Sequence, residues 1–218
     1  MRSLVRHRIN TVPYPRFASS SIRRRILWRV VSESTRLSAQ DWARAALKAI
    51  ADGGLAAVAV EPLARTLGVT KGSFYAHYRN RDELITAALA EWTRSHGEEG
   101  LAQLAAIDDP ARRLRDLLTT VVQAVQPLAP SVHLSLLGDR NDPRVGDAVR
   151  RVNRARLELL ARTYRELGLT PERAVSRARV AYAAILGLLH LAQTDPDSPN
   201  SAALADEATT IFLPPHSG

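Results

Sequence analysis

The chain has no cysteine, a single methionine and few aromatic residues, about 5% of its 218 positions. Without thiols it can form neither a disulfide nor a thiolate metal site, which suits a reducing cytoplasm. Metal and catalytic signatures are missing too. There is no glycine-rich phosphate loop and no His-Glu-x-x-His pair, and His96, His133 and His190 lack ligand spacing. Neither a metal, a cofactor nor an enzyme constellation is therefore expected. No stretch alternates apolar and polar residues as a half-buried strand would. The longest apolar run, 180–192, reads as too short to cross a membrane, which takes about 18 residues or more. What is abundant is Ala, Leu and Arg, good helix formers, so the expected fold class is all-α.

The formal charge of +8 is unevenly placed. Residues 1–36 hold nine arginines against one acid, Glu33, and the remainder carries 21 basic and 21 acidic side chains. The high isoelectric point thus belongs to the N-terminal segment and does not argue that the rest binds a polyanion. Three readings fit residues 1–36: a disordered extension arising from an upstream start, a basic arm that touches DNA, or a targeting peptide.

The stretch 60–83 organises the remainder. A short helix fits Glu61 to Leu67; Gly68 can leave it in a left-handed conformation, Val69 plugs the turn, and Thr70 can cap a second short helix. Two short helices joined by a tight, glycine-containing turn make a helix-turn-helix, whose second helix can enter a DNA major groove. Asn80 with Glu83 then reads as a capping box for a longer helix, running to about His96, with an extension past Gly97 and Gly100 left open. Upstream, Ser38 and Asp41 cap a helix to about Asp52 that Gly53-Gly54 ends. Downstream, Asp109-Pro110, Asp142-Pro143, Thr170-Pro171 and Ser198-Pro199 each pair a capping side chain with Pro at the first helical position. They mark helices near 111–126, 144–167, 172–193 and 202–212, with a shorter one at 129–137.

Leu63-Ala64, Gly68-Val69-Thr70-Lys71-Gly72, Phe74-Tyr75-x-His77-Tyr78 and Asp82-Glu83-Leu84 resemble the DNA-binding segment of the tetracycline-repressor (TetR) family of bacterial transcription regulators, over roughly Leu37 to Trp92. Pro62 departs from the family's usual helix former, at a first-turn position where Pro costs little. The resemblance implies a three-helix DNA-binding domain over 37–82 and a helical effector-binding and dimerisation domain over 83–213, with a tail at 214–218. It implies Thr70, Lys71, Gly72, Ser73, Tyr75, His77 and Tyr78 as DNA contacts. Phe74 reads better as core, and Tyr78 suits core or contact equally. Arg44, Lys48, Arg79 and Arg81 suit phosphates or plain solvation.

The run 180–192 is apolar almost all round and needs cover on more than one side. The resemblance assigns that cover to a second copy, through a homodimer interface at helices near 172–193 and 202–212. It also implies an effector pocket, for which helix faces nominate Trp92, His96, Leu104, Val121, Val125, His133, Leu137, Tyr164, Tyr182 and Leu186. The expected function is a cytoplasmic regulator that binds double-stranded operator DNA, a repressor released by a small molecule. An activator or ligand-independent regulator is the alternative within DNA binding. A helical enzyme or ligand-binding module with a vestigial helix-turn-helix is the alternative outside it.

Overall fold

Ser38 and Asp41 close the capping box that the sequence suggests. The Ser38 hydroxyl accepts from the Asp41 N–H, and the Asp41 carboxylate accepts from the Ser38 N–H at 2.8 Å. From there α1 runs Ala39–Gly53 and buries Trp42, Ala46 and Ile50, one residue per turn. Gly54 follows at φ 67°, and a 3-10 turn, Leu55–Ala57, leads to α2, Val60–Thr66. α2 ends in a Schellman motif. Gly68, at φ 68°, donates to Arg65 and Val69 donates to Ala64, so two orphan carbonyls are satisfied and the chain reverses. α3, Lys71–Tyr75, is the second helix of the motif. α4, Arg81–His96, starts at Asn80, whose side chain accepts from the Glu83 N–H at 2.9 Å. The Glu83 carboxylate takes the Arg79 N–H rather than that of Asn80, so only half of the expected capping box forms.

This computed structural model describes residues 37–123, 130–194 and 201–214. The readings made for residues 1–36 and for the Ser198-Pro199 start signal lie outside that set. Among the described residues every regular element is a helix. After α4 come α5 (Glu98–Ala105), α6 (Pro110–Gln123), the single turn α7 (Val132–Ser135), α8 (Pro143–Glu166), α9 (Pro171–Thr194) and α10 (Ser201–Phe212). The Asp-Pro starts hold: Asp109 accepts from the Ala111 N–H and Asp142 from that of Arg144, each at 2.9 Å. The helix from Arg81 ends at His96 as expected, and Gly97 breaks the helix there, so 98–105 is a helix of its own. One expectation needs correction. Among the described residues, the helix expected at 129–137 is a single turn, Val132–Ser135, because the chain after Ser135 turns to dock elsewhere.

Two apolar cores result. One gathers Trp42, Ile50, Phe74, Leu84 and Trp92 with Leu136, Val145 and Val152; the other gathers Leu114, Leu118, Leu160, Tyr164, Ile185 and Phe212. From Leu37 onward the chain makes one compact unit. The first core runs through the start of α4 and into α8.

Helix α9 corrects a second reading. The apolar run is part of a 24-residue helix whose best 18-residue window has mean hydropathy 1.2, so length and composition alone would allow a membrane span. It packs against the rest through Ala174, Ala178, Ala181, Tyr182, Ile185 and Ala192. Val175, Val180 and Leu191 remain exposed.

Candidate nucleic-acid interface and interior cluster

The helix-turn-helix presents α3 outward. Thr70, Lys71, Gly72 and Tyr75 are exposed, and Ser73 and His77 are half-buried. Phe74 points the other way and is fully buried, edge-on to Trp42 with ring centroids 5.3 Å apart. The Lys71 ammonium bonds Glu61 of α2 at 2.8 Å. That contact raises the lysine pKa and lowers the glutamate's, so both stay charged at neutral pH. An exposed pair of this kind is readily exchanged for another anion, and a phosphate would compete with Glu61 for Lys71.

Three readings of this segment change. Tyr78 is 7% exposed, stacks on Phe74, and donates its hydroxyl to the Ala39 carbonyl at 2.7 Å. Its one donor is spent inside the fold, which removes it from the groove-facing set. Thr70 has the extended backbone of an N-cap, but its side chain caps nothing, leaving the hydroxyl outside the helix's own hydrogen bonds. Arg81 is a clamp: its guanidinium donates to the Val58 carbonyl at 2.7 Å and to that of Leu55, fixing the entry to α2. Arg44 lies 3.8 Å from Glu91 on α4.

The nominated pocket residues divide. Trp92, His96, His133 and Tyr182 form a chain of rings, with centroids 6.1 Å apart for Trp92–His96, 5.9 Å for Trp92–His133 and 6.4 Å for His133–Tyr182. They come from α4, α7 and α9. The others do not join it. Tyr164 is buried in the second core, and burial pushes its hydroxyl up to about 12. Leu186 packs against that same core. Leu104 lines a separate groove with Gly100 and Ile107, and Leu137 is 49% exposed. Helix faces cannot separate these sets, because each residue meets the interior and only distant segments decide which interior. Val121 and Val125 lie outside the described side chains.

Sequence reasoning missed two members of the cluster. Arg156 donates to the Tyr182 hydroxyl at 3.2 Å, with its guanidinium 6.0 Å from the ring centre, and that hydroxyl donates to Asn153 Oδ1 at 2.9 Å. The signal was present: Val145, Val149 and Val152 form an apolar stripe on α8, which Asn153 and Arg156 interrupt with polar groups. His133 is 5% exposed, and its Nδ1 has no hydrogen-bond partner. Burial, and then the Arg156 charge, push its pKa down to about 4, so the ring is neutral.

The segment carrying His133 also holds the helix-turn-helix unit. The Ser135 hydroxyl donates to the Ala51 carbonyl at 2.6 Å. The Asp139 carboxylate accepts from the Leu55 N–H at 2.7 Å. Arg144 reaches Asp82 at 3.1 Å.

Residues 43–88 match the family model described as bacterial regulatory proteins, tetR family. That segment is TetR-like in sequence. Solved structures agree in fold. A TetR-family transcriptional regulator from Agrobacterium tumefaciens is 19% identical, with a TM-score of 0.65 over 80% of this chain and 95% of that one. One from Streptomyces coelicolor is 15% identical, with a TM-score of 0.66 over 80% and 93%. AibR, solved in complex with isovaleryl coenzyme A and operator DNA, is 17% identical, with a TM-score of 0.59 over 81% and 98%. No curated protein matches the chain by sequence. The match supports a DNA-binding transcriptional regulator, and the helix-turn-helix is the segment that the family model covers.

Proposed function

We propose that this chain is a TetR-family regulator, a cytoplasmic homodimeric repressor released from its operator by a small molecule bound at the interior cluster. Thr70, Lys71, Gly72, Ser73, Tyr75 and His77 meet the DNA, within a DNA-binding domain at 37–82. The domain at 83–213 binds the effector and dimerises, and its role is regulatory rather than catalytic. One observation carries the reading. Helix α4 begins three residues after Tyr78 and ends with Trp92 and His96 in the cluster, so a single rigid element joins groove to pocket. The docking of 131–144 onto Ala51, Leu55 and Asp82 adds a second route from His133. Dimerisation is supported by exposed apolar side chains on α9 and α10: Val175, Val180, Leu191 and Ile211. That AibR was solved with both an acyl coenzyme A and operator DNA supports joint control by ligand and DNA in this architecture.

A dimer reads two half-sites about 34–36 Å apart. A small rotation of α4 in each subunit changes that spacing, and by linkage operator DNA weakens ligand binding by the same factor. The absence of native cysteine makes the test clean. Ala76→Cys, at an exposed position, places one spin label beside each recognition helix. An inducing ligand should shift the label-to-label distance as it releases DNA. Release at an unchanged distance would refute the mechanism.

A further inference from the structure

We infer that the interior cluster takes an organic monoanion, a carboxylate on an apolar body, with Arg156 as its counter-charge. The inference rests on the proposed function, in which this cluster is the effector site. Arg156 is half-buried and bonds the Tyr182 hydroxyl, and among the described residues no carboxylate pairs with it. A partly desolvated cation without a counter-charge is unfavourable until an anion joins it, and a guanidinium fork matches a carboxylate in geometry.

The second observation is independent of the first. His133 is buried, its Nδ1 has no partner, and its ring lies between Trp92 and Tyr182. A buried polar atom left unmatched is costly, and in the Nδ1–H tautomer it can donate to a carboxylate oxygen.

Charge selects the class. Burial and the Arg156 charge keep His133 neutral and lower the His96 pKa as well. The cluster therefore offers one permanent positive charge, which suits a monoanion better than a dianionic phosphate. It repels a quaternary ammonium, since Arg156 occupies the position where a cation would need an acid. The body of the ligand has room nearby. A groove of about 400 Å3 between α8 and α9 meets the cluster at Asn153; Leu157 and Ala178 line it, and it carries Arg150, which pairs with Asp147, and Arg154 and Arg179 beside Glu158. That volume suits a small organic ligand.

The test is calorimetric titration of the full chain with octanoate and phenylacetate. Octanamide, phenylacetamide, choline and inorganic phosphate serve as comparisons. The carboxylates should bind roughly tenfold or more tighter than their amides, and choline and phosphate should bind more weakly still. Arg156→Gln, which can still donate to Tyr182, should abolish the preference by weakening carboxylate binding more than amide binding. If that variant does not fold, Arg156→Lys should keep the preference, and the wild-type comparison with the amides decides in any case. Amides binding as tightly as carboxylates, no carboxylate binding at millimolar concentration, or a preference that survives Arg156→Gln would overturn the inference. An amide or choline that binds and releases operator DNA would overturn it while leaving the regulator reading intact. A carboxylate that binds through Arg156 without altering DNA affinity would support it and count against that reading.

Discussion

Tyr75 and Tyr78 share one short segment and face opposite environments. Tyr75 is 58% exposed beside Lys71, whereas Tyr78 is locked under α1 by its bond to Ala39. Their substitutions should therefore separate binding from stability. Lys71→Ala should leave the fold intact and weaken operator binding. If each subunit loses one phosphate contact, the salt slope of a dimer falls by about 2, at roughly 0.9 per phosphate. Tyr78→Phe should leave the salt slope alone and cost about 1 kcal/mol in denaturant unfolding, one buried hydrogen bond. The reverse pattern would return Tyr78 to the interface. His133 gives a pH signature. Unfolded, it takes a proton near its ordinary 6.5; folded, it stays neutral until about 4. The unfolded state then binds more protons in that window, so stability is full above pH 6.5 and falls as the pH drops towards 4, by at most on the order of 3 kcal/mol. His133→Leu should flatten that slope in denaturant melts taken across the window. An unchanged slope would show that His133 is not held neutral.

At the scale of elements, local signals were legible and distant docking was not. Gly68, Asn80 and the Asp-Pro pairs act within a few residues, so the starts of α4, α6 and α8 and the turn after α2 follow from the sequence. The single turn α7 does not, because its length is set by what 131–144 touches. The Asp139 carboxylate accepts from the Leu55 N–H beside Gly54, whose φ is 67°. A Cβ added at Gly54 would lie 2.7 Å from that carboxylate, so both the backbone angle and the space require glycine. No periodicity couples residues 84 positions apart. For the same reason the four aromatic and histidine members of the cluster were readable on helix faces, while Asn153 and Arg156 showed only as polar breaks in the α8 stripe, whose partner is fixed once α9 lies against α8. Asp139→Ala should destabilise the fold by about 2 kcal/mol, the scale of a hydrogen bond to a charged group, read from urea unfolding. A loss below about 0.5 kcal/mol, within the range of ordinary surface changes, would show that 131–144 does not anchor the helix-turn-helix unit.

At the scale of the molecule, the open apolar face of α9 and the outward face of α3 require different partners. Leu189 is partly buried against its own core, so a charge there would damage the protomer as well as a dimer. Val180, 61% exposed, separates the two effects. Val180→Arg should yield a folded monomer in sedimentation, because it places an unpaired charge in an apolar interface. An unchanged dimer would move the interface elsewhere. The central claim, that α3 reads DNA in the context of a two-fold dimer, is tested most directly by selecting bound sequences from a random duplex library with the purified protein. The account predicts a palindromic site with half-sites about one helical turn apart, or a multiple of it, enriched by the native chain and lost with Lys71→Ala at moderate salt. Enrichment of no sequence, or of a site that Lys71→Ala binds equally well, would contradict it.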